Sequence, residues 1–207
     1  MKAIWALWPA QLPRTARLYA GVLLILLAQV PPAAGAVCTG ALDAADRLQA
    51  AVDAETTARE ALVTVRRNAQ DWKNLLLRGR DPSERQTLQT RFDAQARAYA
   101  ARLAQLQAQL SALGLETARI DTLNLERVKL FERYRLALER HGVASLEAAA
   151  SADREAQGSD VLTFRTLEQL IDALAAQSGS RFQALRTEIG RCASAQTTDR
   201  QDPARQP

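Results

Sequence analysis

Residues that interrupt helices are scarce in this sequence. Of 207 residues only 9 are glycine and 7 are proline, and aromatic residues make up 5%. Alanine and leucine are common instead, and no stretch alternates apolar and polar residues as a half-buried strand does. The composition therefore favours a single all-α domain over mixed or all-β classes.

Histidine and cysteine are also nearly absent, since the chain has one histidine, His141, and two cysteines, Cys38 and Cys192. One histidine rarely makes a metal site without ligand partners, and we interpret His141 as an exposed residue at a helix end. No C-x-x-C-H haem motif, phosphate loop, nucleophile elbow or defined carboxylate pair occurs. The sequence predicts a non-enzymatic protein without metal or cofactor.

The formal net charge of +4 comes mostly from the N-terminal segment. Lys2, Arg14 and Arg17 are basic, and the first acidic residue is Asp43. Without residues 1–36 the chain keeps 24 basic residues against 23 acidic ones. No basic tract or aromatic-interleaved patch remains, so nucleic acid is not an expected partner.

The N-terminal segment has the three parts of a secretory signal peptide. Residues 1–17 are basic, residues 18–30 are apolar, and Ala34-Gly35-Ala36 offers a small-residue cleavage site after Pro31-Pro32. The alternatives are an uncleaved anchor through residues 18–37, although a membrane span needs about 20 strongly apolar residues, and lipidation at Cys38, which Val37 fits poorly. We therefore expect a periplasmic domain over 37–193 and a polar, disordered tail over 194–207.

Heptad spacing of apolar residues predicts four long helices over about 39–78, 82–113, 116–141 and 160–192. Short turns between long amphipathic helices favour an up-down-up-down four-helix bundle with coiled-coil-like seams. Val143 to Ser159 is expected to be a loop, with a short helix from Leu146 as the alternative. Glu55 and Asn124 interrupt the apolar rows, where they either set the helix register or line a small cavity. On the third helix the inward residues are predicted to be Ile120, Leu123, Val128, Phe131, Tyr134 and Leu138.

The stretch Asp71 to Glu84 predicts a hairpin between the first two helices. Gly79 suits the left-handed position just past a helix end. Asp81 can cap the next helix, Pro82 suits its first position, and Glu84 can reach back to the cap residue as in a capping box.

The same stretch resembles the periplasmic sensor module of methyl-accepting chemotaxis proteins, in which a W-K-N-x-L-L-R-G run closes the first long helix. Two further elements of that module have counterparts downstream, as Y-R-x-x-L and D-R-E patterns. The resemblance implies a four-helix bundle that senses a ligand outside the inner membrane. The matching residues are Trp72, Lys73, Asn74, Leu76, Leu77, Arg78, Gly79, Asp81, Pro82, Tyr134, Arg135, Leu138, Asp153, Arg154 and Glu155.

From this resemblance and the polar turn we take eight candidate ligand residues: Trp72, Lys73, Asn74, Arg78, Tyr134, Arg135, Asp153 and Arg154. The alternative is that Trp72 belongs to the core and its polar neighbours to a solvated helix face. After Cys192 we expect no second apolar span, linker or methylated output hairpin of the receptor kind. The expected function is a non-catalytic, sensor-type ligand-binding bundle, and the alternative is a structural or adaptor protein of the cell envelope.

Cys38 and Cys192 are predicted to form a disulfide, since an exported chain with two cysteines suggests a bridge and both residues fall at the same end of the expected bundle. The alternative is two unrelated free thiols.

Expected partners are a small-molecule ligand, a second copy of the chain or a full-length receptor. The dimer would use a small-residue surface on the first helix, unless its alanines are simply good helix formers. Those residues are Ala44, Ala51, Ala54, Ala58 and Ala61.

We predict that the mature chain begins near Val37 and is found in the periplasm, because the apolar run ends at two prolines and a small-residue site. N-terminal sequencing of the membrane-free fraction tests this. Recovery of only the full-length chain, in the membrane, would instead support an anchor through residues 18–37.

Overall fold

The computed structural model describes the backbone of residues 39–201 and the side chains of residues 39–194. The predicted signal segment, Cys38 and residues 202–207 lie outside this range. The described chain is all-helical, as predicted. Its five helices are α1 (Thr39–Arg78), α2 (Pro82–Ala112), α3 (Ala118–His141), α4 (Leu146–Ala156) and α5 (Val161–Gln201).

The structure has five helices where the sequence predicts four long ones. α4 corresponds to the short helix considered as an alternative to a loop, and it begins where Ser145 Oγ accepts the backbone N–H of Ala148 at 3.1 Å. α5 continues to Gln201, beyond the predicted end at Cys192 and into the stretch expected to be disordered. Residues 193–201 contain no glycine or proline that would interrupt the helix.

Contacts divide the chain into two units. One comprises Asp43–Thr187, and the other holds both ends of the described chain, 39–42 and 188–201. In the smaller unit, a methyl group on Gly40 would lie 3.2 Å from Glu188 Oε2. All candidate ligand residues lie in the larger unit.

α1 and α2 run antiparallel, as the hairpin predicts. Arg91 pairs with Asp71 at 2.7 Å, and Arg102 pairs with Glu60 at 3.0 Å. The α2 residue number rises as the α1 number falls, which is the signature of an antiparallel pair. The buried residues of α2 follow the heptad spacing from which this helix is predicted, and they are Leu88, Phe92, Tyr99, Leu103, Leu106 and Leu110.

Four of the five α1 alanines that were expected to carry a dimer lie in the core. Ala51, Ala54, Ala58 and Ala61 are fully buried, and the fifth residue of that set, Ala44, is partly exposed. Three of the four belong to the same core cluster as Tyr99 of α2, so small residues on α1 accommodate large ones on α2. The small-residue surface expected to carry a dimer is therefore already covered within the chain.

For one residue of α3, Val128, the predicted inward position is wrong. Val128 is 52% exposed, whereas Leu130 is 2% exposed and Ala137 is buried. Each helical residue advances about 100°, so a face that contains Leu123 and Leu130 passes through Arg127 and leaves Val128 outside. Arg127 is accordingly half-buried on the seam.

Asp81 caps α2 as predicted. Its Oδ1 accepts the backbone N–H of Ser83 at 2.8 Å and of Glu84 at 3.0 Å. The hydrogen bond from the Glu84 backbone, followed by those from the Ser83 side chain and backbone, lowers the pKa of Asp81. The cap therefore contributes stability at neutral pH that is lost only as the pH falls through that lowered pKa.

The return half of the capping box is absent, because Glu84 pairs with Arg78 at 2.6 Å instead of reaching the cap residue. This ion pair spans the turn between the two helices. It also raises the pKa of Arg78, through its hydrogen bond to Glu84.

Gly79 has a different role from the one predicted, because it is not among the glycines with positive φ. A Cβ at this position would lie 2.3 Å from the main-chain oxygen of Leu75 and 3.1 Å from Val143. Gly79 is needed for close approach, so that buried Val143 from the α3–α4 turn can pack against the hairpin.

We predict that Gly79→Ala lowers the free energy of unfolding by about 1–3 kcal/mol, as expected for an added methyl group that the backbone must move to accept. The control is Gly179→Ala. Position 179 is helical and exposed with nothing within 4 Å of the added Cβ, so alanine should stabilise by up to about 1 kcal/mol. Denaturant titration measures both. Equal stability of the two variants would contradict the close approach at Gly79.

Candidate functional site

An aromatic cluster joins α1, α2 and α3. Trp72 stacks on Tyr134 with ring centroids 4.5 Å apart and planes 16° apart. The ring centroid of Phe92, on α2, lies 5.7 Å from that of Tyr134 in a T-shaped arrangement and 6.3 Å from that of Trp72. Trp72 is 1% exposed and Tyr134 is 3% exposed. Both side chains therefore serve the core and present no surface to a ligand.

Ion pairs tie α4 to α1 and α3. Lys73 of α1 pairs with Asp153 of α4. Glu155 of α4 pairs with Arg140 at 2.7 Å and contacts His141 at 2.8 Å, both from the end of α3. Only alanines of α4 are buried, namely Ala149, Ala152 and Ala156. The acidic residues of the D-R-E element thus hold α4 against its neighbours.

The structure brings four of the eight candidate residues together in two contacts. Trp72 meets Tyr134, and Lys73 meets Asp153. These contacts join all three stretches on which the chemoreceptor resemblance rests.

The other four candidates lie apart. Asn74 accepts a long hydrogen bond from Gln70, 3.4 Å, and Arg78 pairs across the hairpin with Glu84. Arg135 pairs along its own helix with Glu139 at 2.5 Å. Arg154 donates to Ser151 within α4 at 2.9 Å. Glu55 is partly exposed and paired with Arg59, while Asn124 is partly exposed.

Sequence reasoning missed two polar residues in the α1 core. Asn68 is fully buried and donates to the carbonyl oxygen of Phe92 at 2.8 Å, while its own Oδ1 has no hydrogen-bond partner among the described residues. Asp71 is 3% exposed and is paired with Arg91. Their spacing from Val65 and Trp72 puts both on the buried face, which is the signal that could have identified them.

A groove of about 670 Å³ runs between α3 and the α4–α5 junction. Its size is that of an ordinary small-molecule site. Its α3 cations, Lys129, Arg133 and Arg140, share one helix face through steps of four and seven residues. The lining residues are Glu126, Lys129, Leu130, Glu132, Arg133, Leu136, Arg140, Glu155, Gly158, Ser159 and Leu162.

Most charges in the groove are paired. Lys129 is 3.1 Å from Glu126, and Arg140 is 2.7 Å from Glu155. Glu132 faces Arg135, outside the groove lining, at 3.8 Å. Within residues 39–194, Arg133 has no carboxylate at ion-pair distance and it is exposed. The groove thus combines leucine side chains with one arginine that forms no ion pair with the described residues.

Two buried tyrosines are poor candidates for proton transfer. Burial raises the pKa of Tyr99, and burial together with Asp160 and Asp153 raises the pKa of Tyr134. Both therefore stay protonated near neutral pH. The hydroxyl of Tyr99 and Nε of the nearby Arg127 are buried without a hydrogen-bond partner among the described residues.

Residues 39–194 hold no group of three or more histidine, cysteine, aspartate or glutamate side chains that could bind a metal ion. Cys192 is half-buried near the end of α5 and is not a free thiol. Its predicted partner Cys38 lies outside the described residues, so the disulfide between them stays a prediction. The predicted anchor also lies outside them, and none of the described helices is apolar over a length that could cross a membrane.

Comparison with known protein families, with curated proteins and with solved structures gave no match.

We predict that Trp72→Ala lowers the free energy of unfolding by about 3–5 kcal/mol, because it removes a fully buried indole from the aromatic cluster. Leu77→Ala is the matched control in the same motif, because Leu77 is 64% exposed, and it should change stability by less than about 0.5 kcal/mol. Urea unfolding followed by circular dichroism measures both. A large loss for Leu77→Ala with none for Trp72→Ala would mean that the helix faces are misassigned.

Proposed function

We propose that the chain is an exported, non-catalytic sensor-type module that binds a small ligand in the groove between α3 and the α4–α5 junction. The observation that carries the proposal is the groove itself, which has the volume of a small-molecule site, exposed leucine surface and an unneutralised cation. The chemoreceptor resemblance supports it, because the motif residues converge on the same end of α3 and on α4.

The architecture that we propose is a bundle of α1, α2, α3 and α5, alternately up and down, with α4 as part of the last connection. The antiparallel α1–α2 pair supports it. Further support comes from Arg66 of α1, which pairs with Glu168 of α5 at 2.6 Å and lies over Phe164, and from Arg119 of α3, which donates to the Gln169 carbonyl at 3.5 Å.

α4 is suited to respond to a ligand in this groove. Its ion pairs are largely solvent-exposed, and exposed pairs contribute about 0–1 kcal/mol each. Its buried side chains are alanines, which offer little apolar area. Glu155 and Arg140 belong both to the groove lining and to the contacts that hold α4. A ligand that competes for either side chain would change how firmly α4 is held.

The second candidate is an adaptor of the cell envelope. Leu125 and Val128 of α3 are 63% and 52% exposed, and they lie away from the groove lining. Such residues favour contact with another protein. Because Ala51, Ala54, Ala58 and Ala61 of α1 are buried within the chain, they no longer support a dimer through that helix.

A thermal-shift screen of the full chain, expressed with its own N-terminal segment, tests ligand binding. The panel contains carboxylic acids, amino acids, sugars, polyamines and inorganic phosphate. A ligand that binds only the folded state stabilises it by about 2.7 kcal/mol at 100 times its Kd, so a hit raises the melting temperature.

Two exposed leucines locate the site. Leu162→Asn in the groove should weaken a hit about tenfold, which corresponds to roughly 1.4 kcal/mol. Leu125→Asn outside the groove should leave the affinity unchanged. A hit whose affinity is unchanged by Leu162→Asn would bind elsewhere on the protein. A panel without any hit would favour the adaptor function.

A further inference from the structure

We infer that the ligand of the groove is an organic anion that joins one carboxylate to a compact apolar body. The inference rests on the proposed function and names the chemical class that the groove would accept. Arg133 is the residue that would bind the carboxylate, and Leu136 and Leu162 would cover the apolar part.

The charge balance of the groove points to an anion. Its lining contains three acidic and three basic residues. Glu126 and Glu155 are engaged by Lys129 and Arg140, and Glu132 lies nearest to Arg135, outside the lining. Of the three cations in the lining, Arg133 alone has no carboxylate at ion-pair distance among the described residues. A cationic ligand would have to break an existing ion pair, whereas an anion needs only to meet Arg133.

The geometry of the cation favours a carboxylate. A guanidinium offers parallel N–H donors that match the two oxygens of a carboxylate, and such charge-assisted bonds are about twice as strong as neutral ones. Arg133 is on the exposed side of α3, so its side chain is not already committed to the core.

The leucines favour an apolar body. Leu162, in the first turn of α5, is 47% exposed, and Leu136 is half-buried one turn from Arg133 on α3. Covering their surface removes apolar area from water, which stabilises the complex in proportion to the area covered. Acetate and phosphate lack such a body, so they should bind more weakly than a carboxylate that carries a ring.

Three probes separate these contributions. Benzoate has both parts, benzamide keeps the ring without the charge, and acetate keeps the charge without the ring. Each is titrated into ¹⁵N-labelled full chain, and backbone shifts report where it binds. We expect benzoate to shift resonances of α3 and of the α4–α5 junction, with an affinity about tenfold above that of either other probe.

Arg133→Gln should weaken benzoate about tenfold and leave benzamide unchanged. Arg97→Gln is the matched control, because Arg97 is an exposed α2 arginine without an ion-pair partner among the described residues. It should bind benzoate as the parent does. Equal melting temperatures of the two variants show that both are folded.

The results separate failure of the ligand class from failure of the function. If benzamide or another neutral or cationic compound occupies the groove as tightly as benzoate, the carboxylate assignment is wrong while ligand binding stands. Benzoate binding that survives Arg133→Gln, or that shifts resonances only outside the groove, also overturns it. If none of the probes binds and the wider panel has no hit, the binding function itself fails.

Discussion

The stacking of Trp72 on Tyr134 is the contact on which one end of the larger unit depends. It joins the end of α1 to α3 and places Phe92 of α2 against both rings. With α1 and α3 held in this register, Lys73 is positioned for Asp153, and Arg140 and His141 are positioned for Glu155. Those ion pairs are exposed and individually weak. How firmly they hold α4 therefore depends on how firmly the aromatic cluster keeps Lys73, Arg140 and His141 in position.

This arrangement separates residues that build the site from residues that can bind. Side chains of the W-K-N-L-L-L-R-G stretch make contacts within the fold: Trp72 is in the core, Lys73 pairs with α4, and Arg78 pairs across the hairpin. The groove is lined mainly by α3 residues that carry no recognisable motif. Under the function that we propose, the motif would therefore act by holding α1, α3 and α4 together, and not by contacting the ligand.

Much of the fold could be predicted from local patterns. The α1–α2 hairpin, the Asp81 cap and the α2 seam follow from heptad spacing and turn chemistry, and all are seen. The errors came from interactions between elements. Val128 was misassigned because the inward position four residues after Leu123 is held by a charged residue, Arg127, which only its packing in the structure shows to be half-buried. Gly79 was assigned to a left-handed conformation, whereas an added Cβ is excluded first by the main-chain oxygen of Leu75 and then by Val143, which lies far along the chain. The groove could not be predicted, because it is formed by side chains from three helices and a turn.

By itself the sequence determined that the chain is helical, where its long helices begin, and which face of α2 is buried. These properties depend on propensity, capping and periodicity, which act over a few residues. Only the tertiary structure decided that four α1 alanines pack inward, that Asn68 and Asp71 are buried, and that Arg133 faces a groove with no carboxylate partner among the described residues. Burial and charge balance depend on which residues of distant helices come into contact, and that information is absent from any single helical segment.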